Sequence, residues 1–226
     1  MKIDILSLFP EMYNGVFTES IIKRAVSNNK VKIEVHNIRD FSNDPHNRVD
    51  DYPIGGGEGM VLMIEPIYKA IMEYKTEDSL VIMMTPQGKI YNQKEAYNLA
   101  KQKHIIILCG HYEGFDERIR SLVDLEISVG DYILTGGEIP SMILVDSIVR
   151  LIDGVILEDS HKNDSFNNNL LDYPVYTKPN EFMGMKVPEI LFSGNQQKIN
   201  EWRKNEQIKK TKKRRPDLLE KSDSNE

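Results

Sequence analysis

Three short apolar runs, each followed by a turn that contains glycine, constrain the fold more than any other feature of this chain. The runs are Leu80–Met84, His104–Leu108 and Leu125–Ser128. Continuous apolar runs of this length are typical of strands that are covered on both faces, as in a parallel sheet. Because ligands bind outside the carboxyl ends of such strands, the turns that follow them are candidate binding loops.

The three candidate loops share glycines, which let backbone amides approach a ligand closely. They are Thr85–Gly88, Gly110–Gly114 and Ser128–Glu138. Each of them taken alone is compatible with an ordinary turn. Three in succession favour a pocket that is built mostly from backbone.

Segments with helical spacing alternate with the apolar runs. Two further strands are expected over Ile3–Leu8 and Val31–His36. The predicted helices are Glu19–Ser27, Leu62–Tyr74, Gln93–Lys103, Glu117–Leu122 and Pro140–Leu151. This alternation predicts an α/β fold with a mostly parallel sheet.

A polar segment at residues 158–170, rich in Asp, Asn and Ser, interrupts the alternation. Such a composition predicts a flexible interdomain linker. We therefore expect a first domain over residues 1–157. The chain after the linker is basic and helical in pattern, so residues 171–226 are expected to form a small basic helical domain.

The net charge of −6 argues only weakly against nucleic-acid binding, because local patches decide it. Basic residues crowd the last part of the chain: Lys198, Arg203, Lys204, Lys209, Lys210, Lys212, Lys213, Arg214 and Arg215. This run is either a solvated helix face or an arm that contacts phosphates.

Several common classes lack support in the sequence. Gly55–Gly59 is followed by Met60 and matches neither a dinucleotide fingerprint nor a P-loop. No Cys or His pair has metal-ligand spacing, so no metal site is predicted. A nucleophile elbow is also missing. The single cysteine, Cys109, and the lack of an apolar run of about 18 residues predict a cytoplasmic protein.

Short motifs along nearly the whole chain resemble bacterial tRNA (guanine-N1)-methyltransferases of the TrmD type, within the SPOUT superfamily. Each motif is short, but the set is specific in this order and at these distances. The motifs are Ser7–Met12, Arg39–Phe41, Gly55–Met60, Pro86–Gly88, Cys109–Gly114, Asp164–Phe166, Tyr176–Pro179 and Arg214–Leu219.

The resemblance implies that the three loops form a deep trefoil knot, an exception to the unknotted topology of most proteins. It also implies that S-adenosylmethionine binds in the knot and that the active site lies at a homodimer interface. The positions that match the cofactor site are Thr85, Pro86, Gly110, Tyr112, Glu113, Ser128, Val129, Gly130, Asp131, Tyr132, Ile133, Leu134, Gly136, Gly137 and Pro140.

The implied reaction transfers a methyl group to N1 of guanosine 37 in tRNA, with guanosine 36 preceding it. N1 carries a proton, so a base must remove it, and a cation should stabilise the charge that develops on O6. By resemblance, Asp164 is the base and Arg150 is the cation or its helper. The family also implies a magnesium requirement, although the sequence shows no dedicated protein cage.

RNA contacts are expected from two places in the chain. One is the polar loop Arg39–Asp51, which includes Arg39, His46 and Arg48. It belongs to a polar stretch from Arg39 to Gly59 that is too long for a plain connection. The other is the tail with Lys209, Lys210, Lys212, Lys213, Arg214 and Arg215. Tyr52 and Trp202 are candidates for stacking on unpaired bases, although packing is the commoner role of such residues.

Two alternatives remain at this point. One is a SPOUT methyltransferase that acts on a ribose 2′-hydroxyl or on ribosomal RNA, against which the Asp164 segment argues. The other is a non-catalytic tRNA-binding protein, against which the intact loop glycines argue. Glu58, Val175, Lys178 and Gln196 depart from the family pattern, which leaves details of tRNA contact open.

Overall fold

The computed structural model of the 226-residue chain describes residues 1–156 and 164–220. The chain divides into two compact units, Met1–Ile156 and Leu157–Glu226. Part of the predicted linker, residues 158–163, lies outside the described residues. Its described part contains a short 3-10 turn at Asn167–Asn169.

A five-stranded parallel sheet forms the centre of the first unit, in the order β2-β1-β6-β5-β7. Its strands are β1 (Lys2–Ser7), β2 (Lys32–Asn37), β5 (Ser79–Ile90), β6 (His104–Cys109) and β7 (Leu125–Ser128). A separate antiparallel pair consists of β3 (Asp50–Asp51) and β4 (Val61–Leu62). The prediction of an α/β fold with a mostly parallel sheet is confirmed.

Helices cover both faces of the sheet, so strand residues of either parity are buried. Ile3 and Ile5 belong to one core cluster, and Leu6 belongs to the other. The first cluster includes residues of three helices and the second includes residues of one. The helices are α1 (Ser20–Ser27), α2 (Ile64–Tyr74), α3 (Gln93–Leu99) and α4 (Glu138–Val149).

Strand β5 is longer than predicted. The prediction that this strand ends at Met84 is wrong, because the chain returns to the same neighbouring strand after four residues. Ile127 of β7 pairs first with Met84 and then with Lys89, so residues 85–88 bulge out of the ladder. A Cβ atom on Gly88 would collide with the backbone of Glu126 and Ile127, so this return requires glycine.

Several predicted helix ends also shift. The helix that was expected from Leu62 begins at Ile64, because Leu62 pairs in β4. The segment Glu117–Leu122 is a 3-10 helix. The helix that was expected from Pro140 begins at Glu138, which places this proline inside the first turn.

The second unit contains a hairpin and two helices in its described part. The hairpin pairs β8 (Glu181–Phe182) with β9 (Met185–Lys186), and it was not predicted because its strands have only two residues each. The helices are α5 (Gln196–Arg214) and α6 (Asp217–Glu220). Over residues 1–156 and 164–220, no helix is both long and apolar enough to cross a membrane.

Candidate functional site

A cavity of about 520 Å³ lies beside the bulge of β5 and at the carboxyl ends of β6 and β7. The three glycine-containing loops line it together, as predicted, although the first of them interrupts β5 and only the other two follow a strand. Of the fifteen residues predicted to bind a cofactor, the cavity wall includes all but Asp131, which lies exposed in the third loop. Those in the wall are Thr85, Pro86, Gly110, Tyr112, Glu113, Ser128, Val129, Gly130, Tyr132, Ile133, Leu134, Gly136, Gly137 and Pro140.

Glycines keep the wall close to the backbone. A Cβ atom on Gly137 would lie 2.7 Å from the Cα of Cys109, and one on Gly110 would lie 2.6 Å from the Phe115 ring. Both approaches are closer than real Cβ contacts, so neither position tolerates a side chain without movement. The two glycines therefore let the second and third loops approach closely, and the Gly137 amide donates to the Gly110 carbonyl at 2.8 Å.

A buried carboxylate fixes the third loop to the sheet. Glu138 is only 1% exposed, and its Oε1 accepts a hydrogen bond of 2.8 Å from the Ser7 hydroxyl. Its Oε2 lies 3.7 Å from Nδ1 of His111 in the second loop. The Glu138 side chain at the start of α4 thus bonds to β1 and lies against the second loop. This role of Glu138 was not predicted, although an acid that follows two glycines at the start of an apolar helix is a usable signal.

Tyr13 and Cys109 form a second buried polar group behind the cavity. The Tyr13 hydroxyl lies 2.7 Å from the Ser141 hydroxyl and 3.3 Å from the Cys109 sulfur. Burial raises the pKa of the Cys109 thiol to about 12, and it also raises the pKa of Tyr13 well above its usual value. Both groups are therefore neutral near pH 7, which is unlike an activated nucleophile.

Arg120 contributes a fixed cation to the cavity wall, which the sequence analysis did not predict. Its guanidinium donates to the side chains of Gln87, Glu126 and Glu117. These partners lie in the first loop, in β7 and in the 3-10 helix, so Arg120 ties the first loop to its surroundings.

The two predicted catalytic residues belong to different units. Arg150 follows the last residue of α4 and is half-buried. Asp164 is half-buried in the second unit, next to a turn in which the amide of Phe166 donates to Leu170. The Phe166 ring faces the guanidinium of Arg215, with 5.8 Å between the Arg215 Cζ and the ring centroid.

The predicted RNA contacts in the first unit belong to one loop with internal hydrogen bonds. Arg39 donates to the carbonyl of Asn47 at 3.4 Å, and Arg48 lies 3.5 Å from Asp44. His46 is exposed beside them. The loop therefore exposes His46 and Arg48 to solvent, and contacts within the loop hold its conformation.

The predicted RNA contacts in the second unit lie near the end of α5. Lys210 is half-buried, and Arg215 is occupied by Asp217, to which it donates two hydrogen bonds of 2.8 Å. Thr211 is buried and accepts from the amide of Leu171, so the opposite side of this turn packs inward. The exposed basic residues of this stretch are Lys209, Lys212, Lys213, Arg214 and Arg215.

Comparisons with known proteins agree along the whole chain. Residues 1–221 match a family model described as tRNA (Guanine-1)-methyltransferase TrmD. A protein of Malacoplasma penetrans is 57% identical over 219 residues, which cover 97% of each chain. Proteins of Dictyoglomus turgidum and Staphylococcus aureus are each 53% identical, with 98% of this chain and 91% of the relative covered. All three relatives are named tRNA (guanine-N(1)-)-methyltransferase.

Proposed function

The chain belongs to the tRNA (guanine-1)-methyltransferase family TrmD, and from this premise we propose how its residues carry out the reaction. The protein transfers a methyl group from S-adenosylmethionine to N1 of guanosine 37 in tRNA. The cavity that the three loops enclose is the observation that best supports this function. The names of the relatives argue against a ribose or ribosomal RNA methyltransferase.

The cavity suits S-adenosylmethionine in size and in chemistry. Its volume of about 520 Å³ lies within the roughly 300–1,000 Å³ of small-molecule sites. Gly110 and Gly137 let the second and third loops pack together around the space for the adenosine part, and Glu113 offers a carboxylate to a ribose hydroxyl or an amino group. When bound, the cofactor supplies a methyl group on a sulfonium, which is a good leaving group.

The protein must remove the N1 proton from guanine and stabilise the negative charge that develops on the base. We assign Asp164 as the base that removes the N1 proton, which turns N1 into a nucleophile. Arg150 then stabilises the negative charge on O6. Positioning of N1 against the methyl group would contribute most of the rate.

The knot implied by the family also has support in the strand pairing. Residues 85–88 leave the ladder and return to the same residue of β7, which places the first loop against the strand that leads into the third. The proposed trefoil knot would hold these loops together without a ligand. A preformed pocket loses less conformational entropy when it binds its cofactor.

A homodimer with the active site at its interface is supported by the surface of α4. This helix is apolar on both sides, and it exposes Ile139 and Ile143 one turn apart. Arg150 continues this stripe at helical spacing, and Ile133 of the third loop is 80% exposed. Contiguous exposed apolar residues next to a ligand cavity are typical of a protein interface.

The proposed substrate is tRNA in which guanosine 36 precedes guanosine 37, and the proposed location is the cytoplasm. The target base must leave the anticodon stack to reach the cavity. We propose that His46, Arg48, Lys209, Lys210, Lys212, Lys213 and Arg214 contact the RNA backbone, with Arg39 and Arg215 supporting them from within their loops.

Magnesium dependence is retained as a family expectation. In the described part of the chain, no three His, Cys, Asp or Glu side chains are grouped so that they could hold a metal ion. No step above is therefore assigned to a metal. Methyl transfer in the presence and absence of EDTA tests the requirement.

The test of the function uses two tRNA transcripts that differ only at position 37, one with guanosine and one with adenosine. Labelled S-adenosylmethionine is supplied, and the product nucleoside is identified by mass. We expect 1-methylguanosine from the first transcript and no label in the second. Label in neither, with the cofactor still bound, would contradict the assignment.

A further inference from the structure

A second cavity, of about 580 Å³, lies within the second unit and has no part in the chemistry described above. Its wall is notable for aromatic rings and for one guanidinium. Tyr176 and Trp202 have ring centroids 6.5 Å apart and meet at an angle of 45°. The residues that matter for its chemistry are Tyr173, Tyr176, Phe192, Trp202 and Arg203.

Arg203 has a hydrogen-bond donor without a protein partner in this wall. Its guanidinium lies over the Tyr173 ring, with 4.9 Å between Cζ and the ring centroid. Its Nε is buried, and no acceptor among the described residues takes its hydrogen. Since buried polar groups are nearly always paired, this N–H is available to an acceptor that enters the cavity.

Aromatic faces combined with an arginine are the means by which proteins bind unstacked nucleotides. Each ring offers a surface on which a base can stack, and the guanidinium donates to a base edge or to a phosphate. The partly exposed rings support an open site, because Tyr176 is 49% and Phe192 is 58% exposed.

The charge around the cavity favours a polyanion. Arg203 lies on α5, and Arg214 follows eleven residues later, about three full turns, so it lies on the same side of the helix roughly 17 Å along the axis. A backbone that leaves the cavity along α5 would therefore meet the basic end of the helix within a few nucleotides.

We propose that this cavity binds one unpaired nucleotide of the tRNA outside the methylated position. The base stacks against Tyr176 and Trp202, and the Nε of Arg203 donates to the nucleotide. This proposal rests on the proposed function for the presence of tRNA. It concerns a separate site, which tryptophan emission reports independently of methyl transfer.

Trp202 is the only tryptophan of the chain and reports directly on the cavity. The full-length protein is titrated with a tRNA transcript that carries guanosine 37, while tryptophan emission and methyl transfer are both followed. We expect saturable quenching of Trp202, because a stacked base quenches indole emission.

Two variants separate stacking from charge. Tyr176→Leu removes a partly exposed ring, and Arg203→Lys keeps the charge but removes the planar donor. We expect each variant to raise the KM for tRNA by roughly 5- to 100-fold with kcat nearly unchanged, given the usual contribution of base stacking. The matched control is Lys204→Ala, which removes an exposed charge next to Arg203 and should change KM far less.

The outcomes distinguish this proposal from the proposed function. Methyl transfer without any change of Trp202 emission would overturn the nucleotide site and leave the function standing. Saturable quenching without methyl transfer would support the site and contradict the function. Emission that depends on protein concentration without RNA would mean that a second copy of the chain fills the cavity, which also overturns the proposal.

Discussion

Asp164 is the residue whose chemistry the proposed reaction needs most. We expect Asp164→Asn to reduce kcat by roughly 10²- to 10⁴-fold, because an amide cannot take the N1 proton. The affinity for S-adenosylmethionine should be unchanged, since the cavity wall is formed by the first unit. Single-turnover methyl transfer and calorimetric cofactor binding measure the two quantities.

The matched control for this change is Asp172→Asn. Asp172 is half-buried like Asp164 and lies eight residues away. Near-normal turnover in Asp164→Asn, or an equal loss in both variants, would remove Asp164 from the role of base.

Asp4 should make the stability of the first unit depend on pH in the acidic range. Its side chain is fully buried and accepts from His36 at 2.8 Å and from His104 at 2.6 Å, with Lys2 at 2.8 Å. Burial alone would raise the pKa of Asp4, but the hydrogen bonds from Lys2, His36 and His104 outweigh it and lower the pKa.

Because the folded-state pKa of Asp4 lies below the unfolded value of 3.8, its carboxylate stabilises the fold above that pH. The contribution is lost as the pH falls through the folded-state pKa. We expect Asp4→Asn to lower the free energy of unfolding by about 1.5–3 kcal/mol at pH 7 and by less below about pH 4.

Urea unfolding at several pH values checks the Asp4 expectation. Asp40→Asn, at an exposed carboxylate, is the control and should have little effect. A loss of stability in Asp4→Asn that stays constant down to pH 2 would show that the carboxylate charge is not responsible.

The loop of residues 85–88 is the element most sensitive to a small change. A methyl group at Gly88 meets the backbone of Glu126 and Ile127, which cannot rotate away as a side chain can. We expect Gly88→Ala to cost about 1–3 kcal/mol of stability and to weaken cofactor binding. Lys94→Ala, at an exposed position of α3, should leave stability nearly intact, and equal unfolding midpoints for both variants would contradict the close approach.

The basic end of α5 should control how tRNA binding depends on salt. Replacing Lys209, Lys210, Lys212 and Lys213 by Gln is expected to weaken binding and to reduce the slope of log K against log salt by roughly 3. Replacing the same four by Arg keeps the charge and should keep the slope. An unchanged slope in the Gln variant would identify this stretch as a solvated helix face.

At the scale of the whole molecule, the exposed stripe of α4 predicts the state of assembly. We expect Ile143→Lys to shift the protein from dimer to monomer and to abolish most methyl transfer, because a buried cation at an interface is costly. Met72→Lys on α2 is a matched control, since Met72 is 41% and Ile143 is 42% exposed. Sedimentation velocity measures the outcome, and a monomeric wild-type protein would refute the proposed interface.

Local patterns in the sequence were enough to predict the sheet and the loops that line the cavity. Runs such as Leu80–Met84 and His104–Leu108 identify buried parallel strands because both of their faces need apolar residues. Glycines after these strands indicate binding loops, since only they permit close backbone approach. The motif resemblance supplied the family, which the comparisons then showed.

Contacts between residues far apart in the chain could not be predicted from the sequence in the same way. The return of β5 to Ile127, the ties of Glu138 to Ser7 and His111, and the grouping of Asp4 with two histidines join positions far apart in the chain. Spacing along a chain reports which face a residue occupies, but it does not report which side chain lies opposite.

The sequence by itself determined that this chain forms a parallel α/β sheet with three glycine-containing loops and belongs to a tRNA methyltransferase family. Only the tertiary structure decided that Arg120 lies in the cavity wall, that Cys109 is buried beside Tyr13, and that Trp202 and Arg203 share a second cavity. The physical reason is that local conformation follows from nearby residues, whereas burial, pairing and pKa depend on the neighbours that folding brings together.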